Sequence, residues 1–232
     1  MKISTGTKHT SGFTLIELIV VIAILATLAG IAYPAYMGFA ENARVSAAHK
    51  TCVDIVAGVS SFKQDHNGIL PYYPQSAKPN RDDQIFLITE SGKDAGLVCV
   101  LTGYEEGDEK LNINNEAYIK ATRAEQPKDG LYGESADELS IYDPWGKPYY
   151  VVLCESLDGC IDPFTGKRIP RESCLTYSIG PDGEGIAKPH LGKAATKKGS
   201  KKKTAAQKAA AVEAAEDALL DNVYSWKKNT KK

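Results

Sequence analysis

Residues 12–32 read GFTLIELIVVIAILATLAGIA. Beyond the Gly12-Phe13 junction the stretch is almost wholly apolar for about 20 residues, long enough to cross a bilayer as a helix. One acid, Glu17, stands inside it. An ionisable group is expensive in hydrocarbon and is usually retained for a function. A secretory signal peptide fits poorly, because no A-x-A-like cleavage site follows the apolar core and such a core does not normally hold an acid. A plain membrane anchor explains the length but neither Glu17 nor the Gly-Phe junction. Lys2 and Lys8 precede the stretch and predict a cytoplasmic N-terminal side.

Helical spacing resumes beyond Gly30 and Pro34. Tyr36, Phe39, Ala43, Ala47, Ile55, Val59 and Phe62 recur mostly at steps of three and four, with Glu41, Asn42, Arg44, His49, Lys50 and Asp54 on the other side. Asn67-Gly68 and Pro71 close the run. The pattern predicts one long N-terminal helix over 13–65, with 13–33 in the membrane and 34–65 packed on a soluble domain. Pro34 removes one helical hydrogen bond and weakens the helix locally.

The chain has 232 residues and a formal net charge of −1. That balance hides an asymmetry. Residues 188–203 hold seven Lys and no acid, and 227–232 hold four Lys and no acid; the remainder carries 17 basic residues against 29 acidic ones. Such basic stretches read as solvated segments, available to an anionic surface or to acidic neighbours. They lack aromatic interleaving and no nucleic-acid-binding module accompanies them, which argues against nucleic acid as a partner. Residues 187–204 have the composition of a disordered segment, and 205–220 have high helix propensity.

Residues 66–140 read as a variable region. Its start is a loop, and Ile85–Gly103 is expected to hold a short helix or two. Residues 141–186 read as sheet. Asp143-Pro144-Trp145-Gly146 suits a type I turn, and the runs Tyr149–Cys154 and Cys174–Ile179 predict an antiparallel pair packed on the second half of the long helix. Cys52, Cys99, Cys154, Cys160 and Cys174 imply a soluble part outside the cytoplasm, where disulfides persist. Cys154 and Cys174 are placed to face each other across the hairpin, and Cys160 in the loop between them competes. One bridge among the three is expected, and the odd total leaves at least one thiol free or intermolecular. No C-x-x-C spacing supports zinc instead.

Gly12-Phe13-Thr14-Leu15-Ile16-Glu17 and the apolar run after it closely resemble the class III signal of type IV pilins and of type II secretion pseudopilins. The resemblance implies that residues 1–12 are a leader, that a prepilin peptidase cuts between Gly12 and Phe13, and that Phe13 becomes the methylated N-terminus. It also implies a homopolymer built through the N-terminal helix, in which Glu17 of one subunit meets the Phe13 amine of the next. Pairing offsets the desolvation of two buried charges, and a head-to-tail contact propagates as an open filament. In related filaments the Gly30–Pro34 region can partly melt on assembly, so extension is expected there.

Asp143–Tyr149, DPWGKPY, resembles the DPWG-x-PY signature of the G-type major pseudopilin of type II secretion. Ser178–Gly183, SIGPDG, is similar to its S-L-G-x-D-G motif, and Asp221–Trp226, DNVYSW, to its closing D-D-I-x-N-W. The match covers both ends of the chain but not 66–140. It implies an α+β, pilin-like fold, with a long, partly transmembrane N-terminal helix packed on a small antiparallel β-sheet. It also implies one calcium ion in the loop before the closing motif at 221–232. Carried over, Asp182 and Asp221 supply carboxylates and Ile179 a backbone carbonyl; Asn222 stands where the family has an acid, and Glu184 is a further candidate. A short loop in the family becomes 38 residues here between Asp182 and Asp221, yet closing a longer loop adds only modest entropy.

No G-x-S-x-G elbow, H-E-x-x-H or phosphate loop is present, so a structural protein is expected instead of an enzyme. The resemblance implies a subunit of a periplasmic pseudopilus that drives protein export. It would be anchored by a single pass in the bacterial inner membrane and would work with an assembly platform, an ATPase and minor pseudopilins. The alternative is a type IV pilin forming a surface fibre for adhesion, motility or DNA uptake. A third reading is a membrane-anchored protein whose Lys-rich segment captures an acidic ligand.

Overall fold

The computed structural model describes residues 14–77, 79, 83–94, 96–156, 158–183 and 222–225. The leader, the Gly12-Phe13 junction, the Lys/Ala-rich stretch, Glu184, Asp221 and Trp226 lie outside these residues. The chain divides into two compact units, Met1–Ala43 and Arg44–Lys232.

Helix α1, Leu15–Asp65, has 51 residues. Thr14 and Glu17 start it as a capping box. The Thr14 N–H and hydroxyl donate to the Glu17 carboxylate at 2.9 and 2.7 Å, and the Glu17 N–H donates back to Thr14 Oγ1 at 3.3 Å. Two groups that a helix start leaves without partners are thus satisfied reciprocally. The helix continues through Pro34. A proline disturbs the turn below it through the carbonyl four residues back. That residue is Gly30, the most permissive one available. In the single chain, therefore, the predicted weak point is still helical. Asn67 and Gly68, both at positive φ, end the run, and the Gly68 N–H caps the Lys63 carbonyl.

In the second unit, Ala48, Cys52, Ile55, Gly58, Val59 and Phe62 are buried, a stripe at helical spacing. They meet a four-stranded antiparallel sheet made of β1 (Gln84–Ile88), β4 (Tyr150–Cys154), β7 (Cys174–Ser178) and β8 (Val223–Tyr224), in the order β1-β4-β7-β8. The chain is therefore α+β, with a long apolar N-terminal helix whose later turns pack on a small antiparallel sheet. Two small hairpins flank the sheet: β2 (Gly130–Tyr132) with β3 (Ser140–Tyr142), and β5 (Cys160–Ile161) with β6 (Arg168–Ile169).

The predicted strand pair is present as β4 and β7, but Ile85–Gly103 differs from expectation. Its first part is strand β1, paired along its length with β4, and its second is the six-residue helix α2, Leu97–Thr102. Asp94 anchors α2 by accepting from the Gly96 and Val98 N–H groups.

The β4–β7 register sets Leu153 opposite Cys174. Side chains alternate between the two faces of a strand. Leu153 and Cys174 thus join the core under α1, and Cys154 points to the other face with Val152, Leu175 and Tyr177. The expected facing of Cys154 and Cys174 fails by this one-residue parity. Cys154 bonds Cys160 instead, with the Cα atoms 5.5 Å apart, and Cys174 is a buried free thiol. The bridge ties down the β5–β6 hairpin. Phe164, from that hairpin's turn, meets Tyr177 and Tyr224 edge-on at 4.8 and 5.3 Å.

Gly58, on the buried face of α1, lies close against the Tyr118–Ile119 segment. A Cβ there would lie 2.6 Å from Ile119 Cγ1 and 3.1 Å from the Tyr118 carbonyl. Gly58→Ala gains about 1 kcal/mol of helix propensity, but overpacking typically costs about 1–3 kcal/mol. Because a backbone carbonyl is one of the obstacles, a net loss of about 1–2 kcal/mol is expected. Urea denaturation would show it as a lower midpoint with an unchanged slope, and a raised midpoint would refute it.

Candidate functional site

Three sequence segments far apart in the chain converge where β7 ends. The first is the turn after β3. The Asp143 side chain is fully buried, and its Oδ1 accepts the N–H groups of Trp145 at 3.0 Å and Lys147 at 2.8 Å, while its carbonyl accepts Gly146 N–H at 3.0 Å. Asp opens the turn, Pro144 presets φ at the second position and Gly146 takes the positive φ of 83°. The same Asp-Pro-aromatic device recurs at Asp162-Pro163-Phe164, where Asp162 Oδ1 accepts from Phe164 N–H at 2.9 Å.

The second segment is the end of β7 and its exit turn. Ser178 is fully buried; its hydroxyl donates to Asp143 Oδ2 at 2.5 Å and accepts the Gly180 N–H at 3.1 Å. Gly180 sits at φ 71° and Gly183 at φ 66°. Asp182 lies exposed between them. The Lys147 side chain crosses over Gly183, with Cε 3.1 Å from where a Cβ would stand.

The third segment is β8. Val223 pairs with Ser178, so the next residues outward, Ile179 and Asn222, are adjacent at the end of the sheet. Asn222 is 3% exposed, and among the described residues neither its Oδ1 nor its Nδ2 has a hydrogen-bond partner of full geometry. Burial pushes the neighbouring Tyr224 hydroxyl up to about 12, and the Asn222 amide opposes that rise. Helix α1 reaches the same point through Cys52, whose thiol lies 3.9 Å from the Val223 carbonyl.

The electrostatics follow from burial. Desolvation raises the Asp143 carboxyl above the usual range, and its hydrogen bonds, Ser178 first, oppose that shift. Burial also raises the Cys52 thiol well above its ordinary value, with the Asp143 charge adding to it. Neither thiol in the core, Cys52 or Cys174, is a nucleophile at neutral pH.

At the other end of the chain, Thr14 and the residues of α1 up to Phe39 are exposed, and Glu17 is engaged by Thr14 as described. An 18-residue window of α1 has a mean hydropathy of 2.7 and is long and apolar enough to cross a membrane.

Residues 7–33 match the prokaryotic N-terminal methylation motif. The match covers this N-terminal segment alone and is a likeness to the type IV pilin and pseudopilin class, a class of structural subunits. The motif implies cleavage by a prepilin peptidase, membrane anchoring and membrane-associated filament assembly. No curated protein and no solved structure matches the chain.

Of the residues singled out in the sequence, Ile179, Asp182 and Asn222 share one corner of the fold, whereas Asp221, Gly12 and Phe13 lie outside the described residues. Among the described residues no cluster of three or more His, Cys, Asp or Glu side chains forms a metal site. Sequence reading took Asp143 and Ser178 as the first residues of two separate motifs and Cys52 as one of five cysteines, and gave none of the three a role at this corner. The two motifs sit 35 residues apart, and nothing in their spacing announces that one bonds the other.

Proposed function

We propose that this chain is a structural subunit of a periplasmic pseudopilus that drives protein export by type II secretion. The observation that carries this reading is the meeting of the DPWG and SIGPDG segments with residues 222–225 of DNVYSW at one corner, joined by Asp143–Ser178 and by the β7–β8 pairing. Three motifs that resemble the same subunit type are, in this fold, parts of one local structure. The peptidase trims the precursor after Gly12, the apolar helix holds it in the inner membrane, and an assembly platform with its ATPase adds it to the filament beside minor pseudopilins. A type IV pilin is the second reading. The Cys154–Cys160 bridge favours it, since a C-terminal disulfide loop suits a surface fibre.

The corner also suits a calcium ion. Calcium takes six to eight oxygens, including carboxylates, amide oxygens and backbone carbonyls. The orphaned, buried amide of Asn222 beside Ile179 is the kind of oxygen donor such a site uses, and Asp182 supplies a carboxylate from the turn. Asp221, next in the chain to Asn222, supplies the second. The Lys147 side chain over Gly183 has to give way as the cation enters. Bound calcium holds the 179–183 turn against β8, so that only a folded domain presents a competent assembly surface.

Thermal unfolding of the full chain in detergent micelles tests this. A ligand that binds only the native state raises Tm, by about 2.7 kcal/mol of stabilisation at 100 times Kd. Calcium is expected to raise Tm relative to excess chelator, and Asp182→Ala to lose that rise. Identical melting of the wild-type chain in calcium and in chelator would remove the calcium site and move the assignment to the pilin reading.

A further inference from the structure

We infer that the cavity at the end of α1 is a binding site for a short apolar peptide with both termini free, its carboxylate held by Lys63 and its ammonium by Glu155. The inference is independent of the calcium reading and uses none of the residues at the β7–β8 corner.

Four stretches of chain build the cavity. Lys63 comes from the last turn of α1, Ile69, Leu70 and Pro74 from the segment that follows, Leu111 from the loop beyond α2, and Glu155 from the residue after β4. Its volume is about 340 Å³, at the small end of ligand sites, which run to about 300–1,000 Å³. The walls are held in place. Tyr72 is buried, and its hydroxyl donates to Glu155 Oε1 at 2.6 Å. Burial first and Glu155 second push that hydroxyl up to about 12, so it stays a donor at neutral pH. The Gly68 N–H is fixed on the Lys63 carbonyl at 2.8 Å, and Pro71 and Pro74 stiffen the segment between.

The lining selects the ligand. Leu70, Pro74 and Leu111 are apolar, and Ile69 stands 53% exposed beside them. One base and one acid complete the wall. Among the described residues Lys63 is in no ion pair, with Glu155 or with any other acid. Glu155 Oε1 is taken by Tyr72, and among the described residues Oε2 has no donor. One cation, one spare carboxylate oxygen and apolar walls complement a small molecule with one carboxylate, one ammonium and apolar side chains. Because Lys63 and Glu155 are unpaired, their charges are set apart. The two charges of a single amino acid share one carbon, whereas the termini of a dipeptide are spaced. Apolar burial supplies affinity, and the two charges fix the orientation.

Equilibrium dialysis of radiolabelled leucyl-leucine against the full chain in detergent micelles, with empty micelles as the blank, tests this. Saturable binding to the wild-type chain is expected. Lys63→Met keeps an unbranched stem and removes the charge, and is expected to weaken binding at least about tenfold, the loss that accompanies a hydrogen bond to a charged group. Capping either end of the ligand, as N-acetyl-leucyl-leucine or as leucyl-leucinamide, is expected to do the same. Leu111→Trp fills the cavity and is expected to abolish binding. Circular dichroism checks that each variant is folded; should Leu111→Trp not fold, Lys63→Met and the capped ligands carry the test. Absence of saturable binding to the wild-type chain overturns the inference. So does a Lys63→Met chain that binds as tightly as wild type, or a capped dipeptide that binds as tightly as the uncapped one.

Discussion

Glu17→Gln is expected to abolish filament assembly while leaving the subunit folded, membrane-inserted and processed. The substitution separates the capping role of Glu17 seen in the chain from the pairing with Phe13 that the proposed filament requires. In the single chain its carboxylate closes the capping box with Thr14. Glutamine at the same position of a capping box performs that task as well, so the start of α1 is preserved. What glutamine lacks is charge. In the packed core of a filament, the amine of a neighbouring Phe13 would face a neutral amide. Removing one partner of a buried pair leaves the other uncompensated, at a cost of about 3–5 kcal/mol per contact. Repeated at every subunit, that cost exceeds what a polymer of weak contacts tolerates. Electron microscopy of the sheared fraction, with the mature N-terminus checked by mass spectrometry, gives the answer. Filaments at wild-type yield from correctly trimmed subunits of the Glu17→Gln variant would show that the charge is dispensable.

Phe62→Ala is expected to be the most damaging single change in the core. The ring is 0% exposed and stacks on His66 at 3.9 Å and 9°, with Tyr118 edge-on at 5.3 Å. It sits in the last turns of α1, where the helix buries its side chains against the sheet and the Ile119 loop. Truncation removes the transfer energy of the ring and leaves a cavity that rigid neighbours cannot fill, together about 3–5 kcal/mol. Against a total stability of about 5–15 kcal/mol, this removes about a fifth of it at the least. For a chain of this size the melting temperature should fall by about 6–20 °C. A fall below about 2 °C, corresponding to roughly 1 kcal/mol or less, would mean that this end of the helix is not docked on the domain as described.

Much of the fold was legible in the residues, and the parts that were not have physical reasons. The long helix announced itself through its apolar run and through the stop at Asn67-Gly68. The β4–β7 pair was readable because β-branched and aromatic residues cluster in both runs. Gln84–Ile88 was not. A short apolar run such as Ile-Phe-Leu-Ile fits a buried helix as well as a buried strand by periodicity, and only its partner β4 decides. The hairpin of β2 and β3, three residues a side, is too short to carry a pattern. The disulfide depended on register parity, which turn length and packing set together. At the candidate site the motifs were visible one by one. The Asp143–Ser178 bond between them was not, because it is a tertiary contact made by two residue types common in turns. The orphaned amide of Asn222 is likewise a property of burial.

The last strand carries a consequence for how the protein is made. Tyr177 on β7 pairs with Tyr224 on β8, and the whole lysine-rich stretch lies between them in the chain. Until Val223 and Tyr224 have left the ribosome, the β7 edge of the sheet presents bare backbone donors and acceptors to whatever is nearby. Such an edge is a template for pairing with another chain. A nascent chain is therefore most vulnerable to aggregation late in its synthesis, and any chaperone that attends it has its work concentrated in that final interval.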